Sequence, residues 1–432
     1  MYFVDPVNGS DGGTGSGDAS DGGPLAACAL KTVTRALQLI NIVNNGGPVA
    51  VNTRITIIGG GGATVSAGET FPLTIPGNVE VTTERGPVTV SVTAGHPGFQ
   101  LTGWPLTLAS GVGAPLTITT TIDTTVTPPT GGTNAIQVGG TADASSTTIS
   151  NLTVDGMLGD GILVGAGSVS ITEGVVSKNN GIATAPRSGL HVTGTGLAFI
   201  KSAAGEAQTK FTLNTAAGIL VDANGSIELF GVTSGSGNTA TSTVDTSGNT
   251  GAGVFIAQTP APGGVSNFVN SIVTGLVSDA TTGGSGMQVV AGSSVTVRNS
   301  FFLGNAENGV LITANNGAAA SNDVTGIDLG SSFPALDPGG NVFQAPLNAG
   351  NNGAAGICLA IGPSNPPGQT LSAAGNTFRT VTCTGATTTA LLLNNGSCAN
   401  TVTACAGGVC DLGYATAAAS ANNTFDVSTC TP

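Results

Sequence analysis

Lys178, Arg187, Lys201 and Lys210 place four of the chain's ten cationic side chains within 33 residues, and His191, one of two histidines, lies among them. Asp155, Asp160, Glu173 and Asp222 are the carboxylates closest to this group in sequence. A row of cations on one face can grip an acidic polymer, and a Lys or Arg beside Ca²⁺-binding carboxylates is what cleaving a uronic-acid glycan by proton abstraction requires. Hydrolysis of a glycosidic bond needs instead two carboxyl groups facing each other across a cleft. The sequence has no Asp-Asp pair, no Gly-His-Gly, no Gly-x-Ser-x-Gly elbow, no phosphate loop and no zinc signature. Neither His96 nor His191 has a triad around it in sequence. Lys178, Arg187, His191, Lys201 and Lys210 are therefore the candidate glycan-binding residues, with solvated corners as the competing reading. No catalytic residue is assigned.

Asp5, Asp11, Asp18 and Asp21 punctuate an acidic, glycine-rich loop within residues 1–24. Such a loop can wrap carboxylates and carbonyls around a hard cation, so Ca²⁺ is the candidate cofactor, although the spacing is not that of an EF-hand. Six of the seven cysteines crowd into the last 75 residues: Cys358, Cys383, Cys398, Cys405, Cys410 and Cys430. With no C-x-x-C among them, this density predicts a disulfide-stapled end formed in an oxidising compartment. Cys28 lies far from the rest along a rod rising ~4.8 Å per turn. It is expected to find no partner in its own chain, because a bridge needs Cα atoms within roughly 7 Å.

The elements that must position these residues announce themselves by recurrence. Gly161-Ile-Leu-Val returns as Gly189-Leu-His-Val, Gly218-Ile-Leu-Val, Gly253-Val-Phe-Ile, Gly286-Met-Gln-Val, Gly309-Val-Leu-Ile and Gly356-Ile-Cys-Leu, at steps of 28, 29, 35, 33, 23 and 47 residues. A short apolar strand repeating at this loose period is the mark of a solenoid. Asn214, Asn249, Asn305 and Asn352 each precede the motif glycine by four residues. Both residue types tolerate the left-handed backbone of a sharp turn, and that is the role predicted for them.

By strand alternation, the third residue of each motif points outward. Read down the repeats it is Leu163, His191, Leu220, Phe255, Gln288, Leu311 and Cys358. Leu163, Leu220, Phe255 and Leu311 make this column apolar, which predicts either loops folded over it or a stripe used for assembly. Gly340-Asn-Val-Phe343, Gly375-Asn-Thr-Phe378 and Asn422-Asn-Thr-Phe425 form a second repeat, predicting stacked amides at a corner and stacked rings inside. The run Thr117–Thr127 suggests a hydroxyl lattice of the kind that matches ice. Steps varying from 23 to 47 residues argue against the strict register such a lattice needs.

Lys31–Ile40 is the one clear helix, with Val33, Ala36, Leu37 and Ile40 on a single face, Thr32 as N-cap and Asn44-Asn45-Gly46-Gly47 as its stop. Val43 is expected near the same face. Such a helix would cover the open end of a strand stack. Strands are expected at Arg54–Ile58, Leu73–Ile75, Val79–Thr82, Val88–Thr93 and Leu116–Val126.

Tyr2-Phe-Val-Asp, Asn8-Gly-Ser-Asp11, Leu30-Lys-Thr-Val-Thr-Arg-Ala-Leu37 and Glu69-Thr-Phe-Pro-Leu-Thr-Ile-Pro76 together resemble an uncharacterised bacterial surface family. Its members open a right-handed parallel β-helix of the pectate-lyase-like superfamily in this way. The resemblance spans roughly residues 1–85, and it implies fold and surface location without implying a reaction.

Composition agrees with a solenoid. Charged residues make up 8% and aromatics 4%, while 69 glycines and 40% hydrophobic residues suit rungs buried by their neighbours. A net charge of −13 opposes binding to nucleic acid or anionic membranes, and no apolar run is long enough to span a bilayer. No basic segment follows Met1, so export would imply a leader removed ahead of it. The expectation is an all-β, single-stranded right-handed parallel β-helix. Residues 1–49 form the N-terminal strand, acidic loop and capping helix, 50–355 the rungs, and 356–432 a cysteine-rich end. Its expected role is that of a non-catalytic extracellular structural or adhesive protein, partnered by itself in an oligomer or filament. The alternatives are a lyase or hydrolase of acidic glycans and a carbohydrate-binding module, either with an extracellular polysaccharide as partner.

Overall fold

Val88–Val92, with Val, Thr, Val, Ser and Val in strict alternation, must bury one face, and parallel stacking lets identical faces bury each other. In the computed structural model this is what such segments do. The structure describes residues 1–12, 29–103, 105–139, 147–202, 206–231, 244–258, 270–279, 281–314, 323–330, 337, 339–343 and 356–360, with short segments from 370 to 431. The chain divides into two units, one of residues 1–191 and 196–201, the other of residues 192–195 and 202–432.

In the first unit three parallel sheets are visited in fixed cyclic order. Sheet one holds Tyr2–Val4, Thr53–Ile58, Val79–Glu84, Leu106–Ala109, Thr147–Ser150 and Ser168–Thr172; sheet two holds Ala63–Val65, Val88–Val92, Leu116–Thr120, Leu152–Asp155 and Val176–Lys178. Leu73–Ile75, Phe99–Leu101, Ile136–Val138 and Ile162–Val164 belong to sheet three. Strands step in register, so that Val81, Leu108, Ile149 and Ile171 are successive partners and all are 0% exposed. Each such aliphatic gains about 1.5–3 kcal/mol from burial, which lets Val, Ile and Leu build a core with few aromatics. Three of the turns from sheet one into sheet two begin at a left-handed residue, Arg85, Asn151 and Glu173, with φ of 63°, 52° and 44°, and Gly86 and Gly174 continue the first and last with positive φ.

The second unit repeats the pattern. Ile219–Ala223, Val254–Gln258, Met287–Val290, Val310–Thr313 and Ile357–Ala360 pair in parallel, with Ile219, Val254, Met287, Val310 and Ile357 in register and fully buried. Beyond Phe378 the ladders include antiparallel pairs, one of which sets Cys383 opposite Cys430. The arrangement in both units, mostly β with one short N-terminal helix, is consistent with a β-solenoid.

The motif asparagines work differently from the expectation. Asn214, Asn249 and Asn305 are absent from the left-handed residues, which instead include Asn45, Asn52, Asn78 and Asn299. Their side chains are buried and serve as rung-to-rung clamps. Asn249 Oδ1 accepts from Asn214 N (2.8 Å) and Asn214 Nδ2 (3.0 Å), while Asn249 Nδ2 donates to the carbonyls of Phe211 (2.9 Å) and Thr246 (2.6 Å). Asn352 lies outside the described residues. The motif glycines are likewise chosen for proximity and not for φ: a Cβ on Gly253 would lie 2.0 Å from Ser278 Oγ and 2.5 Å from the Gly286 carbonyl oxygen. The amides of the second repeat meet as expected, whereas Phe343 stacks on Phe302, which is not part of the repeat, and the side chains of Phe378 and Phe425 lie outside those described. Asn341 Nδ2 donates to Asn376 Oδ1 at 2.9 Å, and the rings of Phe302 and Phe343 stack at 5.4 Å with 9° between planes.

The helix, α1, runs Val33–Val43 and buries Val33, Ala36 and Ile40 against the first strands of sheets one and three. Thr32 caps it, its hydroxyl accepting from Arg35 N at 3.1 Å. Val43 lies on the far side at 72% exposed, since the last turn runs past the sheets. Leu116–Thr120 ends short of Val126 because Asp123 closes a local turn, its Oδ1 accepting from Thr125 N at 2.8 Å.

Two carboxylates meet the helix's free N–H groups. Glu69 accepts from Val33 N (2.7 Å), Thr34 N (2.8 Å) and Thr34 Oγ1 (2.6 Å), and Asp11 accepts from Lys31 N and Thr32 N, both at 3.0 Å. This suits the positive end of the helix dipole. Burial nevertheless raises the Glu69 pKa above its ordinary value of 4.5; its hydrogen bonds with Thr34 and Val33 oppose the shift and the Asp11 charge adds to it. A carboxyl whose folded pKa is raised gives stability that is complete below the unfolded value and lost as pH rises through the folded one. Urea unfolding of wild type and Glu69→Gln across this range should show that component in wild type alone. Equal pH slopes in the two proteins would exclude it.

Candidate functional site

In the first unit a recess of about 510 Å³ lies between α1 and the strand Leu73–Ile75. Leu37, Ile40 and Asn41 line one side, and Pro72, Thr74 and Pro76 the other. None of the residues lining it is ionisable. It can hold an apolar group and offer hydrogen bonds, but it can move no proton from a side chain.

The candidate glycan-binding residues are largely engaged with carboxylates. Lys178 Nζ lies 3.2 Å from Asp155 Oδ2, one register step away in sheet two. Asp155 also accepts from Asn179 Nδ2 at 2.8 Å. His191 Nδ1 lies 3.0 Å from Asp160 Oδ2, while Asp160 Oδ1 accepts from Ser188 N at 2.8 Å, so one buried carboxylate fixes both a ring and a backbone turn. Asp160 and Ser188 are 28 residues apart, one motif step, and that spacing was the sequence signal for a pair that the search for triads passed over. In the second unit Lys210 Nζ is 3.7 Å from Asp245 Oδ2. Lys201 and Arg187 are exposed, and Arg187 also has an interaction partner.

Arg298, absent from the sequence candidates, is the most connected cation among the described residues. It donates to Asp328 Oδ2 and Asp337 Oδ2, both at 2.7 Å, and to the carbonyls of Val297 and Asp328. Burial works against its charge, but the two aspartates outweigh this and raise its pKa further. The bond from Arg298 in turn holds the Asp337 carboxyl below its ordinary range. The group ties the strand Ile327–Asp328 to Asp337, and the two carboxylates outweigh the single guanidinium charge.

The metal candidates divide. Asp5 Oδ1 accepts from Val7 N (3.0 Å) and Asn8 N (2.9 Å), closing a turn, and Asp11 caps α1. Asp18 and Asp21 lie outside the described residues, as does Cys28. Among the described residues no group of three or more His, Cys, Asp or Glu could hold a metal ion. Cys358 is buried and disulfide-bonded; the other five C-terminal cysteines lie outside the residues whose side chains are described.

Two outer columns stand out. In sheet three of the second unit Leu220, Phe255, Gln288, Leu311 and Cys358 are register partners. Leu220, Phe255 and Leu311 are half-buried, and Cys358 is buried at 1% exposed. In sheet two of the first unit, Thr64, Thr89, Thr117 and Thr153 are successive partners, flanked by Ser91 and Thr119, which pair with each other. Strand register is kept there although connection lengths vary, because the extra residues sit between strands and not within them.

No known family matches the chain, and comparison with curated proteins and with solved structures finds no significant match. The resemblance of residues 1–85 to a surface family therefore gains no support from these comparisons, and the fold rests on the strand pairing itself.

Proposed function

We propose that the chain is a right-handed parallel β-helix serving as a non-catalytic structural or adhesive surface protein in an oxidising, extracellular setting. The observation that carries this reading is how the ionisable groups are spent. Lys178, His191, Lys210 and Arg298 each face a carboxylate, Asp5 and Glu69 cap backbone N–H groups, and the recess beside α1 is lined by no titratable side chain. A general acid or base must reach its substrate with a proton to give or take, and none of these groups is placed in a cleft to do so.

The apolar register column Leu220, Phe255 and Leu311 supports self-association as the mode of assembly. Incubating the chain with a panel of uronic-acid polymers, with and without Ca²⁺, tests the reading. No unsaturated product and no reducing ends are expected. Sustained turnover that falls with Lys178→Ala or His191→Ala would replace it with the lyase or hydrolase alternative.

A further inference from the structure

We propose that the outer face of sheet two in the first unit binds ordered water at an ice surface. Thr64, Thr89, Thr117 and Thr153 form one column, and Ser91 and Thr119 a second, two residues along the same strands. Neighbouring strands lie ~4.8 Å apart and alternate residues roughly 6.6 Å apart, so the hydroxyls sample a two-dimensional grid. Both repeats are close to those of oxygen atoms on the prism face of hexagonal ice. A hydroxyl donates one hydrogen bond and accepts others, so each can take the place of a lattice water.

The state of these hydroxyls is the second observation. None of the six makes a side-chain hydrogen bond within the protein, whereas nearby threonines do: Thr120 Oγ1 donates to the Val92 carbonyl at 2.8 Å, Thr102 to that of Ile75 at 3.3 Å, and Thr125 to Asp123 at 2.6 Å. The grid carries no charge until it ends at the Asp155–Lys178 pair. Strong hydration of a charge would break up an ice-like layer, and the threonine methyl groups between the hydroxyls favour one. A dissolved glycan repeats along one direction only and would use a single column. The second column is what singles out a lattice.

The test is ice-crystal shaping and recrystallisation inhibition by the full chain, compared with Thr117→Lys and Thr119→Lys. Both side chains point outward, and circular dichroism confirms that each variant is folded. Wild type should facet growing crystals and slow coarsening, and both variants should fall to the level of buffer. Wild type behaving as buffer overturns the proposal, and so does full activity retained by either folded variant.

Discussion

Asn249→Leu should destabilise the chain by about 3–4 kcal/mol, measured from the shift of its denaturant unfolding midpoint. Leucine has asparagine's branching and heavy-atom count but is bulkier, so the loss is chiefly of hydrogen bonds with overpacking added to it. The substitution strips acceptors from Asn214 N and Nδ2 and donors from the carbonyls of Phe211 and Thr246, all in a site that is 0% exposed at both asparagines. Four groups hydrated in the unfolded chain would then be buried with fewer partners or none, and it is this asymmetry that makes the effect large. Asn179→Leu serves as the control. That residue is exposed and its side chain bonds Asp155 Oδ1 at 2.8 Å, so the loss, which includes about 1–2 kcal/mol of strain for a leucine at its φ of 55°, should stay below that at Asn249. A change at Asn249 no larger than at Asn179 would mean the amide clamp does not hold the rungs together.

Gly253→Ala should cost about 3 kcal/mol, at the upper end for overpacking. The new methyl carbon would meet Ser278 Oγ at 2.0 Å, the Gly286 carbonyl oxygen at 2.5 Å and Thr246 Oγ1 at 2.7 Å. The serine can turn away, but the carbonyl belongs to the next strand's approach and cannot move without opening the ladder. Adding Ser278→Gly should restore part of the loss and leave the remainder, which belongs to the backbone contact. By contrast, Gly60→Ala meets nothing within 4 Å and should be nearly neutral. Full rescue by the serine change, or none, would contradict this division.

These two positions also mark how far the sequence could be read. Recurrence of Gly-Ile-x-Val announced parallel stacked strands, because a period near 30 residues with an apolar four-residue core admits few other packings. The same recurrence held the Asn249 clamp and the Asp160–Ser188 contact, since each bridges residues one step apart. It could not show whether an asparagine supplies its backbone or its side chain. Both uses leave the same letter at the same place, and only the φ values and the 2.8 Å contact to Asn214 separate them.

Glu69 was legible only as the first residue of the string Glu69–Pro76, because it caps a helix more than thirty residues away through a loop whose path no local pattern specifies. The register of the hydroxyl column was not legible in the motif steps, for a physical reason. Spacing between motifs counts the connections as well as the strands, and parallel register constrains the strands alone. Thr89 and Thr117 align with Thr153 across connections of different length. With ten cations against 23 acids, the composition already indicated that cations would be the scarcer partner in pairs such as Lys178–Asp155.

The central claim is that successive turns run parallel and in register, and carbon–carbon correlation NMR on uniformly labelled protein tests it most directly. Cross-peaks should join Val79 with Thr53, Val81 with Ile55 and with Leu108, Leu108 with Ile149 and Ile149 with Ile171, with residue numbers rising together along each pair of strands. Pairs in which one number rises as the other falls, such as Leu106 with Ser150 and Ala109 with Thr147, would contradict the account.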